Sequence, residues 1–293
     1  MIRAAVDIGT NSVRLLILDA DGSDLERRYV VTGLGRGVDA SGAFRPEAVE
    51  HTLEVLGDYR DSIERHDVDA TRAVATSATR DVTDGEGFLD AAEGVLGVRP
   101  EVIAGEEEAL LSYLGSARGE LGGGPILAID VGGGSTEFVY GSTAPESANS
   151  IDMGSVRLTD RALPHHPASD EQVEAARDEA DRLFAAIEPP GPIATAIGVG
   201  GTFTTLATLS RGLPFRASTQ GVLLSREEVE LLIDRLAALT IEGTAALEGI
   251  DPARAPVILG GAIVVERAMD AIGVDEVVVS EHDLLDGIAL SIA

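Results

Sequence analysis

Residues 5–17 read AVDIGTNSVRLLI, and residues 128–140 read AIDVGGGSTEFVY. In both stretches an apolar run reaches an aspartate (Asp7 or Asp130), passes through glycine and small polar residues, and becomes apolar again. Glycine allows a tight turn and a close approach of the backbone to a ligand, and consecutive N–H groups in such a turn bind anions. The pattern therefore predicts two equivalent β-hairpins, each with an anion-binding turn beside a carboxylate.

Polar side chains in the two turns add further donors for a phosphate group. A carboxylate beside phosphate would be repulsive alone, but it fits if it holds a hydrated magnesium ion that bridges to phosphate oxygens. We therefore expect Asp7 and Asp130 to bind Mg²⁺ or Mn²⁺; the alternative is a pair of tight turns with no ligand. The hairpin residues predicted to bind phosphate are Gly9, Thr10, Asn11, Ser12, Gly132, Gly133, Gly134, Ser135 and Thr136.

Apolar runs alternate with helical periodicity along the rest of the chain. Residues 46–63, 169–187 and 225–239 place their apolar side chains on one helical face, and the second and third of these begin with capping-box spacing. Strands that alternate with helices indicate an α/β fold. Strands are predicted at 3–7, 13–18, 72–76, 126–130, 136–140, 195–199 and 276–280.

The length of 293 residues exceeds what a single hydrophobic core usually reaches, so we expect two domains. The glycine-rich residues 117–125, ARGELGGGP, are a plausible junction. This places the first domain at 1–119 and the second at 120–293, with the last helix packing back on the first domain. Each domain then contributes one hairpin to a common cleft.

Composition excludes several classes of protein. The net charge of −28 argues against nonspecific binding to nucleic acid, and the absence of cysteine excludes disulfides and thiolate zinc sites. The sequence shows neither a secretion signal nor a run of apolar residues long enough to cross a membrane, so we expect a cytoplasmic protein. All 22 basic residues are arginine. A phosphate site must therefore use arginine, backbone N–H groups, hydroxyls or a metal ion.

Two further stretches are compatible with phosphate binding. Residues 196–207, AIGVGGTFTTLA, predict a strand, a turn at Gly200, Gly201 and Thr202, and a helix whose N-terminus can bind an anion. A purely structural turn is the alternative. In residues 74–81, VATSATRD, a strand leads to Arg80, whose planar guanidinium suits phosphate; the alternative is a surface salt bridge.

Residues 103–115, IAGEEEALLSYLG, begin a helix with three carboxylates. Acidic residues complement the helix dipole, which is the structural interpretation. Beside two phosphate-binding hairpins, one of them is also suited to orient a water molecule and accept its proton.

Six motifs together resemble the exopolyphosphatase / guanosine pentaphosphate phosphohydrolase family. They occur in the family's order along almost the whole chain. The resemblance implies two actin-like (ribonuclease H-like) domains with an interdomain cleft, as in sugar kinases, heat-shock ATPases and actin, in a short form without additional C-terminal helical domains. The motifs are DIGTNSVRLLI (7–17), ATSATRD (75–81), GEEEALLSYLG (105–115), DVGGGSTEFV (130–139), MGSVRLTD (153–160) and GVGGTFTTLA (198–207).

The resemblance also implies roles for individual residues. The family's catalytic glutamate falls on Glu108, its second acid on Glu137, its phosphate-clamping arginine on Arg80, and its metal-associated aspartates on Asp7 and Asp130. Glu137 is expected to serve both catalysis and the metal site.

Two other features of the sequence are the distribution of arginine and the C-terminal tail. An arginine-lined cleft that includes Arg36 and Arg157, which both stand near glycine or serine in loop-like stretches, would reconcile the negative net charge with a polyanionic substrate. Arg157 is therefore predicted to bind phosphate. The tail SEHDLLDGI (280–288) departs from many relatives, which have arginine and glutamate where Leu285 and Asp286 stand. No role for the tail follows from the sequence.

These observations predict an enzyme that releases terminal orthophosphate from short inorganic polyphosphate by in-line attack of water, with Mg²⁺ or Mn²⁺ as cofactor and Glu108 as general base. One alternative is the same chemistry on guanosine pentaphosphate. Others are an actin-like ATPase or kinase, and a catalytically silent nucleotide-sensing module. The family resemblance implies a homodimer, and neither nucleic acid nor a membrane is expected as a partner.

Overall fold

A computed structural model describes residues 1–116, 118, 124–188 and 191–292, which form two mixed β-sheets covered by helices. The strands are β1 (Arg3–Ile8), β2 (Ser12–Leu18), β3 (Asp24–Val31), β4 (Ala70–Ala75), β5 (Glu101–Val102), β6 (Ile126–Val131), β7 (Thr136–Gly141), β8 (Pro145–Ile151), β9 (Thr195–Val199), β10 (Leu223–Ser225) and β11 (Glu276–Val279). The first sheet has the order β3-β2-β1-β4-β5, and the second β10-β11-β9-β6-β7-β8.

The two sheets repeat one connection pattern. In the first, β1 pairs antiparallel with β2, β2 with β3, and β1 pairs in parallel with β4. In the second, β6 pairs antiparallel with β7, β7 with β8, and β6 pairs in parallel with β9. Both predicted hairpins are therefore confirmed, and they occupy equivalent places in the two sheets.

The helices follow the predicted periodicity where it is strongest. The predictions at 46–63, 169–187 and 225–239 correspond to the helices Pro46–Arg65, Asp170–Phe184 and Arg226–Ala237, and the capping boxes at Ser169 and Ser225 are formed. The helices are α1 (Val38–Ser41), α2 (Pro46–Arg65), α3 (Ser77–Asp81), α4 (Gly85–Leu96), α5 (Gly105–Ser116), α6 (Ser155–Ala162), α7 (Asp170–Phe184), α8 (Gly201–Arg211), α9 (Arg226–Ala237), α10 (Ile241–Ala245), α11 (Ile258–Ile272) and α12 (Leu284–Leu290), with a 3-10 turn at Pro252–Arg254.

The predicted strands are all present, with small shifts at their ends, but the four strands at the sheet edges, β3, β5, β8 and β10, are not predicted. Two of them, β5 and β10, have only two and three residues, which is too short for a recognisable pattern. The other two, β3 and β8, have eight and seven residues. Both are outer strands, and their exposure is intermediate or high at every residue. Outer strands in proteins tend to carry charged and polar side chains, which limit edge-to-edge aggregation. The hydrophobic alternation that reveals a half-buried strand is consequently weak in both.

Helix α5 connects the two sheets, and helix α12 packs against it and against the first sheet. In α5, Leu111 packs in the cluster on the first sheet, and Ala109 and Tyr113 pack on the second. The C-terminal α12 also packs on β1 and β2. The two helices meet where Gly115 and Gly287 leave no room for a Cβ atom against the partner's backbone. The N-terminus of α5 is thereby held between the two sheets.

The junction predicted at 119/120 lies outside the described residues. Among the helices that the structure describes, none combines the length and the apolar character needed to cross a lipid bilayer.

Candidate active site

A cleft of about 860 Å³ lies between the two sheets. Both hairpin turns, the N-terminus of α8 and the segment before α12 line it. The turn residues predicted to bind phosphate that reach the cleft are Gly9, Thr10, Asn11, Ser12, Gly132, Gly133, Gly134, Ser135, Gly200, Gly201 and Thr202.

The two hairpin turns have the same closing hydrogen bond. The N–H of Gly9 donates to the carbonyl of Ser12 at 3.0 Å, and the N–H of Gly132 donates to the carbonyl of Ser135 at 3.0 Å. Inside the first turn, the side-chain amide of Asn11 is buried without a hydrogen-bond partner. A buried amide without a partner is costly in a folded protein, and a bound phosphate would relieve this cost.

The turns also touch each other. A Cβ atom on Gly133 would lie 2.9 Å from the Cβ of Thr10 and 3.1 Å from the backbone nitrogen of Asn11. A Cβ atom on Gly134 would lie 2.5 Å from the Oγ of Ser77. Glycine is needed at both positions because the backbones approach more closely than side chains allow.

The turn before α8 takes the predicted form. Gly200 has a φ of 90°, a conformation that favours glycine, and it leads directly into the helix. A Cβ atom on Gly200 would lie 2.7 Å from Oδ1 of Asp130, so this turn also brings the backbone close to the carboxylate.

Of the three carboxylates at the start of α5, Glu108 is the one that lines the cleft. Its side chain is 9% exposed, whereas Glu106 and Glu107 are exposed, and Glu107 pairs with Arg72 at 2.7 Å. Burial raises the pKa of Glu108 to about 7, and the neighbouring Arg80 offsets part of this shift. A carboxylate with this pKa suits general base catalysis near neutral pH.

Arg80 contacts Glu108 rather than the open cleft. Its Nη1 donates to Oε2 of Glu108 at 2.9 Å and to the carbonyl of Ile103 at 2.9 Å. Arg80 is not among the residues that line the cleft, so in this conformation it orients the glutamate and does not form the predicted phosphate clamp.

Glu137 lies behind the cleft surface. It stands opposite Asp130 in the register of β6 and β7, and it accepts a hydrogen bond from the Oγ of Ser150 at 2.7 Å. Burial raises its pKa well above the usual range, and the carboxylates of Glu108 and Asp130 raise it further. Glu137 thus belongs to the buried acidic cluster but has no surface in the cleft.

The remaining two acids reach the cleft from the two hairpins. Burial raises the pKa of Asp130 to about 6, although Ser112 donates a hydrogen bond to its Oδ2 at 2.6 Å. Burial also raises the pKa of Asp7, whose Oδ2 pairs with Arg14 at 2.7 Å while Oδ1 is buried with no partner. Asp283, which also pairs with Arg14, lies close enough to raise the pKa of both aspartates.

This arrangement fits a hard divalent cation. The available donors are carboxylate oxygens, one of which lacks a partner, and an added positive charge would favour the ionised form of each acid. Within the described residues no three acidic or histidine side chains converge as a complete metal cage. Mg²⁺ does not need such a cage, because one or two carboxylates, water and substrate phosphates commonly hold it.

Two predicted phosphate ligands do not line the cleft. Thr136 is buried, and its hydroxyl donates to the carbonyl of Met153 at 2.6 Å. Arg157 is buried behind the second turn, where its Nε donates to the carbonyl of Gly134 at 2.8 Å. The prediction for Arg157 rested on its neighbours in the sequence, which do not reveal on which side of the turn the guanidinium lies.

Two arginines that line the cleft, Arg14 and Arg254, are not predicted from the sequence. Arg14 lies in the first motif, and its position within an apolar strand is a signal of a buried partner, which the structure shows to be Asp7 and Asp283. Arg254 lies over the ring of Tyr29 at 5.4 Å and against Gly201, at the N-terminus of α8. No local pattern distinguishes Arg254 from a surface arginine.

The chain is similar to known proteins along almost its whole length. The model of the Ppx/GppA phosphatase family matches residues 19–293. Exopolyphosphatase 2 of Mycobacterium tuberculosis is 41% identical over 99% of this chain and 98% of the relative.

Solved structures of similar proteins have the same fold over almost the whole chain. The crystal structure of an exopolyphosphatase-like protein has a TM-score of 0.91 and 38% identity, and covers 99% of this chain and 96% of that one. The Aquifex aeolicus member of the Ppx/GppA family has a TM-score of 0.81 and 30% identity, with coverage of 99% and 97%. These neighbours have the two-domain actin-like fold, which confirms the predicted fold class. The chain therefore belongs to the Ppx/GppA phosphatase family.

Proposed function

We propose that this protein is an exopolyphosphatase, a hydrolase that releases orthophosphate from the end of inorganic polyphosphate. The observation that carries the proposal is the position of Glu108, which is buried at the bottom of a cleft whose walls are two glycine-rich turns. The name of the Mycobacterium relative and the match to the phosphatase family support it.

Different groups in the cleft have different roles in the reaction. Backbone N–H groups of the two turns and of the α8 N-terminus bind the terminal phosphate and stabilise charge that develops on it. Glu108 orients a water molecule and accepts its proton as the water oxygen bonds to the terminal phosphorus. The bond from that phosphorus to the bridging oxygen breaks, and this oxygen leaves with the shortened chain. Arg80 holds Glu108 in place.

We further propose Mg²⁺ or Mn²⁺ as the cofactor, held by Asp7 and Asp130 with water and substrate oxygens completing its coordination. When bound, the cation neutralises phosphate charge and the repulsion among the buried carboxylates. Glu137 supports this site from behind through its contact with Asp130 and is not placed to bind substrate.

Release of phosphate from short-chain polyphosphate, guanosine pentaphosphate and ATP, measured on the purified chain under one magnesium concentration, tests the proposal. We expect the highest kcat/KM with polyphosphate. A much higher kcat/KM with guanosine pentaphosphate would change the substrate but not the chemistry. Preferential hydrolysis of ATP, or no hydrolysis of any of the three, would contradict the proposed function.

We also propose that the enzyme is cytoplasmic and that it forms a homodimer, the oligomeric state that its family resemblance implies. On α5, Leu110 and Leu114 lie one helical turn apart and are each 44% exposed, which provides an apolar surface for association. Light scattering coupled to size-exclusion chromatography measures the oligomeric state, and cell fractionation tests the location.

A further inference from the structure

Arg157 connects the second hairpin turn to the first half of the molecule. It lies in α6, whose N-terminus supports that turn: the N–H of Ser155 donates to the carbonyl of Gly132 at 3.0 Å, and the N–H of Val156 donates to Gly133 at 2.8 Å. The guanidinium then binds the third carbonyl of the turn, that of Gly134. The whole turn thus rests on α6.

The other donors of Arg157 cross to the first half. Nη2 donates to the Oγ of Ser77 at 3.1 Å and pairs with Asp81, and Nη1 donates to Oδ1 of Asp39 at 2.5 Å. Ser77 and Asp81 belong to α3, which directly follows β4, and Asp39 belongs to α1. One side chain, 8% exposed, therefore bonds to elements on both sides of the cleft.

These contacts lie directly behind the point where the two turns meet. Ser77 is the residue against which a Cβ atom on Gly134 would clash, and the N–H of Ala78 donates to the Oγ1 of Thr10 at 3.2 Å in the first turn. Arg157 and the close contacts at the glycines therefore act on the same two turns, and together they fix the distance between them.

The local charges argue against phosphate as a ligand of Arg157. Two carboxylates, Asp39 and Asp81, already neutralise its charge, and both would repel an incoming anion. Four of the five N–H donors of the guanidinium are used by protein acceptors. The planar fork of arginine reaches acceptors in several directions, which a lysine ammonium on a single stem does not reproduce.

We propose that Arg157 is a positioning residue that fastens the two phosphate-binding turns together and so sets the spacing at which they hold the reacting phosphate. This inference rests on the proposed function for its effect on catalysis, but its structural part does not. Displacement of a binding group by about 1 Å lowers the rate by ~10²-fold, which is the effect expected when this connection is broken.

The test compares Arg157→Gln, Arg157→Lys, Asp81→Asn and the double variant Arg157→Gln/Asp81→Asn in hydrolysis of short-chain polyphosphate. We expect each single variant to lower kcat/KM by ~10²-fold. The double variant should be little worse than either, because both changes break one connection. Arg161→Gln is the matched control: Arg161 lies one turn further along α6 and pairs with Asp39, but does not bond to Gly134 or Ser77.

A phosphate-binding role predicts a different outcome. Arg157→Lys would then keep most of the affinity, and Asp81→Asn would lower KM by freeing the guanidinium for substrate. Either result would overturn the proposal.

Hydrogen exchange supplies a readout that does not depend on catalysis. In Arg157→Gln we expect faster exchange at the amides of residues 10–12 and 132–135, with unchanged exchange in the cores of β1 and β6. Unchanged exchange at the turns, or faster exchange throughout the chain, would contradict the proposal. Because this measurement needs no substrate, it remains decisive if the chain proves not to hydrolyse polyphosphate.

Discussion

Arg14 stands opposite Asp7 in the first hairpin at the register position that Glu137 occupies opposite Asp130 in the second. The two hairpins share their backbone path and their closing hydrogen bond, but one pairs the aspartate with a cation and the other with a second acid. The acidic cluster around Asp130 thus has no such partner in its own hairpin. This asymmetry is the reason why a proton or a cation is expected on the second side of the cleft.

Glu108→Gln should lower kcat by ~10²–10⁴-fold, the usual contribution of a general base, while the fold is retained. The glutamine still accepts a hydrogen bond from Arg80 but no longer takes a proton. Glu107→Gln is the matched control, because that side chain is exposed and faces Arg72 instead of the cleft. Phosphate release under saturating substrate measures both. Loss of activity in Glu107→Gln with an active Glu108→Gln would show that the neighbouring glutamate is the base.

The pH dependence of kcat/KM should reflect the pKa of Glu108, which burial raises to about 7. The base works when ionised, so kcat/KM should fall as the pH drops below this value. Arg80 lowers the pKa of Glu108, hence Arg80→Gln should move the acidic limb of the profile to higher pH. Profiles of the two proteins at the same magnesium concentration check the direction. An unshifted or downward-shifted limb would mean that Glu108 is not the titrating group.

The hairpins and the carboxylates at the start of α5 could be predicted from the sequence because their signals are local, whereas only the family resemblance points to Glu108 among the three. A turn between two apolar strands, and an acid triplet at a helix start, are each contained in a dozen residues. Arg157 shows the limit of this reasoning, since its partners Asp39 and Asp81 lie 118 and 76 residues away in the sequence. Only the packing of α6 against α1 and α3 determines that its guanidinium faces away from the cleft.

Removal of metal should destabilise the protein more at high pH than at low pH. The folded-state pKa values of Glu108 (about 7) and Asp130 (about 6) are raised above their unfolded values. The folded protein retains these two protons more tightly than the unfolded chain, so protonation of the two acids stabilises the fold. This stabilisation is complete at pH values below the unfolded pKa values and is lost as the pH rises through about 6 to 7. Mg²⁺ should restore it by favouring the ionised carboxylates, so the increase in Tm on adding Mg²⁺ should be larger at pH 8 than at pH 5.

Thermal unfolding with Mg²⁺ or EDTA measures this difference, and ~1 kcal/mol corresponds to about 2 °C in a chain of this size. Asp130→Asn removes one titrating group and one proposed ligand, so it should reduce both the pH dependence and the effect of Mg²⁺. The cofactor proposal fails if Mg²⁺ leaves Tm unchanged at every pH and hydrolysis continues in excess EDTA.

Gly133→Ala should separate the two turns. The new methyl group would lie 2.9 Å from the Cβ of Thr10 and 3.1 Å from the nitrogen of Asn11. We expect a loss of stability of ~1–3 kcal/mol, as for other overpacked sites, together with a loss of activity. The control is Gly94→Ala on the exposed face of α4, where a Cβ atom meets nothing within 4 Å and alanine should stabilise the helix by ~0.5–1 kcal/mol. Equal activity of the two variants would contradict the close contact.

The preferred substrate should be short polyphosphate, and hydrolysis should be distributive. Tight binding of a long polyanion requires many cationic contacts, because each contact releases counterions. Of the arginines in the cleft, Arg14, Arg27 and Arg28 each pair with a carboxylate, whereas Arg216 and Arg254 have no ion-pair partner among the described residues. With a net charge of −28, contacts beyond the cleft are mostly repulsive. Affinity should therefore stop increasing after a few phosphate units.

Gel analysis of partly digested long-chain polyphosphate distinguishes the two modes of action. Distributive hydrolysis shortens the whole population gradually, because the enzyme releases each chain after one cleavage. Full-length chains that coexist with free phosphate, without intermediates, would show that the enzyme stays bound. That result would require a longer cationic path than Arg216 and Arg254 provide, and the short-chain preference would then be wrong. Weak dependence of KM on salt concentration is the matching expectation, since few phosphate contacts release few counterions.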